Sequence, residues 1–412
     1  MNIKKHIIIG LLSATALTSH AQGPAVTSWV LNNTGATGYG GISSNVQQVQ
    51  YSTSNVYISA TCIPGYAIGP WSGNPNVPAN QNFVYKFTRS PQQNTGTATA
   101  VGNGHIGVWT NGVSIFNVSD AQSYNNQGIW NRNAYFWEGS GFDNCLGHPQ
   151  QQGEYHHHVS PKCLYDINAS TVHSPIIGYA FDGYPVYGAY AYTNVDGTGA
   201  IKRMQSSYTA TTTSTRTNGP TVSTTYPVGC FIEDYVFTAG SGDLDIRNGR
   251  FCITPEYPTG TYAYFVTIDA SLAPQFPYTF IGSYYGVVQS GNMGPSGGHN
   301  TISEPVTTYS TTVGIKEEAP KLTLQLYPNP TEDYLFLFID PIASNNFTAE
   351  IIDVTGKVVI SEKNIQPTIS YTFDVTKLAK GMYTVKIQNA THKLIESPKA
   401  KRDHLMVSFF IL

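Results

Sequence analysis

Four of the eleven histidines, His148, His156, His157 and His158, fall between two of the five cysteines, Cys145 and Cys163, in the run DNCLGHPQQQGEYHHHVSPKCL. On a strand, side chains alternate faces, so His156 and His158 share one face and His157 points the other way. Two imidazoles so placed can reach one ion with metal–nitrogen bonds of ~2.0–2.1 Å. The chemistry this suggests is transition-metal binding, by zinc or by copper in a flatter ligand arrangement. Two imidazoles leave the site incomplete. His148, His105, Asp143, Glu138 and Asp182 are candidates to complete it, and no spacing among them compels the choice.

His105 opens the run HIGVWTNGVSIFNV, which predicts a hairpin turning at Asn111-Gly112, with His105 at the end away from the turn. Asp182 stands in Asp182-Gly183-Tyr184-Pro185. There it is first a turn residue that accepts a local backbone hydrogen bond. Its second reading is a ligand, or a base beside metal-bound water. The metal ligands expected are thus His156 and His158, with His148, Asp182 and His105 as further donors. Ligands alone define no reaction, so whether the chain is an enzyme stays open.

Short strands must position these residues. Alternating runs such as NVYISA and FVYKFT are broken by Gly, Pro and Asn, and no part of the body keeps a helical period for three turns. Gly (39) and Tyr (28) are abundant while charged residues are only 11%, which suits many half-buried strands joined by polar turns. The fold class expected is mainly β: an irregular β-sandwich-like body plus a small C-terminal Ig-like β-sandwich. A net charge of −3 offers no basic footprint, which sets nucleic acid aside as a partner.

Lys4 and Lys5, an eleven-residue apolar run from Ile7 to Leu17, and Ser19-His20-Ala21 predict a secretory signal peptide over 1–21. The run is too short to span a bilayer, so no transmembrane segment is expected in the mature chain. Export permits disulfides. Cys145–Cys163 and Cys230–Cys252 each close a compact local loop and are the pairs expected, leaving Cys62 free. Charge is sparse over 22–302 and denser from 319 onward, with a Thr-rich stretch bracketed by Pro305 and Pro320 between them. The division expected is a body over 22–302, a linker over 303–320 and a C-terminal domain over 321–412.

With these motifs in view, the body resembles the YHYH-domain family of secreted proteins over about residues 104–282. NGVSIFN, Asp143–Pro149, Tyr155–His158, HSPIIGYAFDGYPVYG and NGRFCITPEYPTGTYAYFVT carry the likeness. His157 stands where the family motif has its second tyrosine. The resemblance implies a domain without an established activity, and it emphasises His148, His156, His158 and Asp182. The C-terminal segment resembles the sorting domain of type IX secretion over about 320–389, through Leu326–Pro330, IIDVTGKVV and FDVTKLAKGMYTVKIQN. That likeness implies the type IX secretion machinery as a partner. It also implies a secreted or outer-membrane-surface location in a Gram-negative bacterium of the Bacteroidota. Beyond Asn389, ESPKAKRDHLMVSFFIL departs from the pattern with a basic patch and an apolar tip. The function expected is a secreted or surface-attached, His-rich metal-binding YHYH domain exported by type IX secretion. The alternative is a non-catalytic module whose aromatic loops bind extracellular polysaccharide or protein.

Overall fold

The computed structural model describes residues 22–294, 296–310, 323–340, 346–366, 370–388 and 405–411. The expected signal peptide over 1–21, the second half of the expected linker and most of the C-terminal tail lie outside them. The chain divides into two compact units, residues 1–310 and 311–412. The protein is mainly β, as its alternating runs and turn residues require.

In the first unit, β1 (Val46–Tyr51), β2 (Asn55–Ala60) and β3 (Phe83–Thr88) form an antiparallel sheet. It packs against a larger one made of β4 (His105–Trp109), β5 (Ser114–Phe116), β8 (His148–Pro149), β9 (Tyr155–His157), β10 (Ile176–Ala180), β11 (Pro185–Tyr187), β16 (Gly249–Cys252) and β17 (Thr261–Phe265). Short ribbons decorate it: β6 (Ser119–Ser123) with β7 (Asn131–Asn133), β12 (Tyr190–Tyr192) with β13 (Ile201–Arg203), and β14 (Tyr208–Ala210) with β15 (Tyr235–Phe237). β18 (Thr307–Thr308) pairs with β1. Where the two sheets meet, Trp29, Phe87, Tyr179, Tyr85 and Phe181 interlock, with ring centroids 5.3–6.2 Å apart.

The large sheet runs β16-β17-β11-β10-β4-β5-β9-β8, and its two halves repeat one another about the central β4–β10 pair. The β4–β5 hairpin pairs His105 with Phe116, Gly107 with Ile115 and Val108 with Ser114. The β10–β11 hairpin pairs Ile176 with Tyr187, Gly178 with Val186 and Tyr179 with Pro185, including the same irregularity. Each hairpin then takes a parallel neighbour, β9 in one half and β17 in the other, which pairs antiparallel with β8 or β16. The sequence carries this duplication faintly, in HIGVWTNGVSIF against IIGYAFDGYPVY. Two shared glycines and matching apolar places are too little to stand out without the pairing. Gly107 and Gly178 are required where the halves meet, since an added Cβ would lie 2.6 Å from the Tyr179 carbonyl oxygen or 2.9 Å from that of Val108.

The turn expected at Asn111-Gly112 is present but is one residue longer. Trp109 pairs with Val113 across Thr110-Asn111-Gly112, and of Asn111 and Gly112 only the glycine takes positive φ (81°). This is a type I turn closed by a glycine bulge, which asks nothing unusual of Asn111.

The second unit contains β19 (Thr323–Tyr327), β20 (Tyr334–Asp340) and β23 (Ser370–Asp374) in one sheet. The other holds β22 (Val358–Ile365), β21 (Phe347–Asp353), β24 (Gly381–Gln388) and β25 (Leu405–Ile411). Leu335, Leu337, Phe347, Ile351, Phe373 and Val385 fill its core. Residues Leu405–Ile411 of the tail's apolar tip form β25, which pairs with β24 from Gly381 to Ile387.

Candidate metal centre

Asp143 builds the loop that delivers His148. Its Oδ1 accepts the N–H groups of Cys145 (2.8 Å) and Gly147 (3.2 Å). Its Oδ2 accepts Gly69 N–H and the Tyr155 hydroxyl, both at 2.9 Å. Gly147 has no room for a side chain, because a Cβ there would sit 2.4 Å from the Tyr155 hydroxyl. This clasp places His148 directly across from His156 in the β8–β9 pair. The expected Cys145–Cys163 disulfide is formed and ties the loop to the segment that follows β9.

His156 and His158 lie on the same face, as the strand period requires. Each Nδ1 meets a backbone carbonyl: that of Glu154 for His156, at 3.0 Å, and that of Asn117 for His158. A carbonyl can only accept, so each Nδ1 carries the hydrogen and each Nε2 of a neutral ring carries a lone pair. The two Nε2 atoms face each other at 3.1 Å. His148 completes a buried triad whose candidate ligand atoms all lie within 4.8 Å of one another. Burial, with the neighbouring imidazoles adding to it, holds His156 well below the usual histidine range and His148 at about 4. Phe116 stacks on His156 with ring centroids 3.7 Å apart, fixing the ring plane.

Glu138 ends the short helix Ala134–Glu138 and reaches the same place. Its Oε2 is 3.2 Å from His158 Nε2 and 3.6 Å from His148 Nε2. Burial works to raise its carboxyl, but His158, His148 and Arg132 outweigh that and hold it below the usual range. The cluster opens onto a cleft of about 560 Å³, walled by Asn74, Phe116, Trp137 and Gln150 among others.

The other two expected donors lie elsewhere. His105 Nδ1 contacts Glu154 Oε1 at 3.1 Å, beside Ser114, and its ring is edge-on to Phe83, Tyr85 and Phe181. Asp182 is a turn residue two strands away from β5. Its Oδ1 accepts Tyr184 N–H, and its Oδ2 accepts the Tyr264 hydroxyl (2.7 Å) and Gly286 N–H (2.8 Å). Its place in the second hairpin is that of Asn111 in the first, where Oδ1 accepts Val113 N–H at the same 3.2 Å. The expected Cys230–Cys252 bridge is absent, and both are buried thiols, as is Cys62. Cys252 packs in the main core, whereas Cys230 sits beside Arg216, whose Nη2 is 3.8 Å from the sulfur. Closeness along the chain did not bring the two together, and each sulfur packs in its own surroundings.

The duplication separates scaffold from chemistry inside this one chain. Asp245 repeats the Asp143 clasp: its Oδ1 accepts Arg247 and Gly249 N–H at 2.8 and 3.2 Å, and its Oδ2 accepts the Tyr262 hydroxyl at 2.9 Å. Register then aligns His148 with Arg250, His156 with Ala263, His157 with Tyr264 and His158 with Phe265. The clasp is therefore architecture, used twice. The imidazoles belong to one half only.

The fold and the site together define a mainly β protein whose large sheet presents three buried imidazoles to an open cleft, followed by a second β unit. Residues 84–278 match the family described as YHYH protein, and residues 325–397 match the secretion system C-terminal sorting domain. The chain thus carries a YHYH domain and a type IX sorting domain, which marks it as a client of the secretion machinery and as secreted or cell-surface. No curated protein matches it. Among the described residues, no helix is long and apolar enough to cross a membrane.

Proposed function

We propose that the YHYH domain is an extracellular metal-binding domain in which His148, His156 and His158 hold one divalent transition ion, zinc or copper, at the floor of the cleft. The observation that carries this reading is the 3.1 Å approach of two Nε2 atoms whose Nδ1 partners are both carbonyls. Two lone pairs so close repel unless a cation lies between them. A shared proton would make one ring an imidazolium in a buried site, with the Glu138 carboxylate 3.2 Å from His158 as its partner. Bonds of ~2.0–2.1 Å at angles between tetrahedral and square would set donor atoms roughly 2.9–3.4 Å apart, which brackets the spacing found. Carbonyls that accept from the far ring nitrogen are the usual support for histidine ligands.

The sorting domain supports export by type IX secretion and a source in the Bacteroidota, and the basic, then apolar start of the chain supports a cleaved signal peptide. The sugar-stacking reading is weakened, because Tyr85, Tyr155, Tyr179, Tyr187, Tyr262, Tyr264 and Tyr284 are fully buried. Elemental analysis of protein purified without a histidine tag tests the metal reading. About one ion per chain is expected, and it should be lost in the H156A/H158A double variant. A content far below one that the double variant leaves unchanged would overturn it.

A further inference from the structure

We infer that Glu138 supplies the fourth protein donor, making a centre of three imidazoles and one carboxylate; this rests on the metal reading above. Glu138 Oε2 stands 3.2 Å from His158 Nε2, within the separation that donors sharing one ion show, and 3.6 Å from His148 Nε2, slightly beyond it. Both Glu138 Oε2 and His148 Nε2 are buried without a hydrogen bond of good geometry, so two polar atoms end close to the same point. Buried polar atoms that lack partners are rare in folded proteins and mark a missing ligand or ion.

The carboxylate is also held in place from behind. Asn133 caps its helix by accepting Tyr135 N–H, and the same side chain donates to the Gly229 carbonyl and meets the Tyr278 hydroxyl. Trp137 donates its indole N–H to the Cys230 carbonyl at 2.8 Å, and the Arg132 guanidinium lies 4.4 Å over its ring. Glu138 therefore reaches the imidazoles from an anchored turn, not from a free loop. A hard, anionic oxygen added to three nitrogens favours a divalent ion such as zinc over soft monovalent copper. The half of the sheet that carries Arg250, Ala263 and Phe265 in place of the histidines offers no such set, which confines the centre to one position.

Cobalt(II), titrated into metal-free full-length chain, reads this directly. Wild type is expected to take up one ion with intense visible bands of low-symmetry coordination. E138Q should still bind, at least about tenfold more weakly, with shifted bands. Infrared difference spectra of wild type with and without cobalt should show a carboxylate band that E138Q lacks, and the wild-type measurement holds even should the variant fail to fold. E138Q with wild-type affinity and bands, or a wild-type difference spectrum without a carboxylate signal, would overturn the role of Glu138 and leave the three-histidine site standing. Wild type that takes up no cobalt would overturn both.

Discussion

Tyr264 donates its hydroxyl to Asp182 at 2.7 Å, deep in the sheet. The equivalent pair in the other half is His157 and Asn111, by register. There the contact is missing: both ring nitrogens of His157 and the Asn111 amide nitrogen are buried without a hydrogen bond of good geometry, and the Cys145 backbone is the polar group that acts on the ring. Burial first, then the charges of His148 and His158, pushes His157 down to about 3, so it stays neutral. It faces away from the cleft and has no part in the centre. H157Y puts a hydroxyl where the sister half has one, and should raise stability by roughly 1 kcal/mol with metal content unchanged. Denaturant unfolding and elemental analysis check both, and a clear loss of stability would count against the equivalence of the halves.

The twin clasps allow a matched comparison. D143A and D245A each strand buried N–H groups and a tyrosine hydroxyl, and each should cost about 3 kcal/mol or more. Only D143A should also weaken metal binding, by about tenfold, because only that clasp delivers a ligand. Metal titration of the two variants side by side decides it. Equal loss of metal affinity in both would mean the clasp acts through global stability alone.

Thiol chemistry checks the cysteine assignment. Unfolded without reductant, the chain should alkylate at Cys62, Cys230 and Cys252, and after reduction at all five cysteines. The C145S/C163S variant, which removes a bridge of sequence separation 18, should lose about 3 kcal/mol. Mass spectrometry that finds a single reactive thiol before reduction would restore the second bridge.

Asp182 gives a pH dependence with a definite sign. Burial pushes its carboxyl from 3.8 up to about 6 against the hydrogen bonds from Tyr264, Gly286 and Tyr184. The folded protein thus holds this proton more tightly than the unfolded chain does. Its contribution is complete below pH 4 and is lost as pH rises through 6, by up to about 3 kcal/mol. The stability of wild type relative to D182N should therefore fall between pH 4 and 6. Chemical unfolding across that range tests it, and a difference that grows with pH would be the wrong sign.

Much of this protein is set locally. Alternation with Gly, Pro and Asn breaks makes it mainly β, and the period of a strand alone puts His156 and His158 on one face with His157 behind. The motifs over 84–278 and 325–397 are likewise carried by residues close in sequence. What the chain order could not settle is which distant groups meet. Asp182 and His105 are polar residues at plausible spacing, yet sheet order takes both into partnerships of their own, with Tyr264 and with Glu154. Cys230 and Cys252 are close in sequence and still packed apart. Glu138 lies on a different element from every histidine, and only tertiary packing of its anchored turn brings it to His158. The duplication was hidden for the same reason, because its halves share hydrogen-bond geometry and register far more than they share side chains. Local sequence fixes face and period, whereas convergence on a point depends on the strand order of the whole sheet.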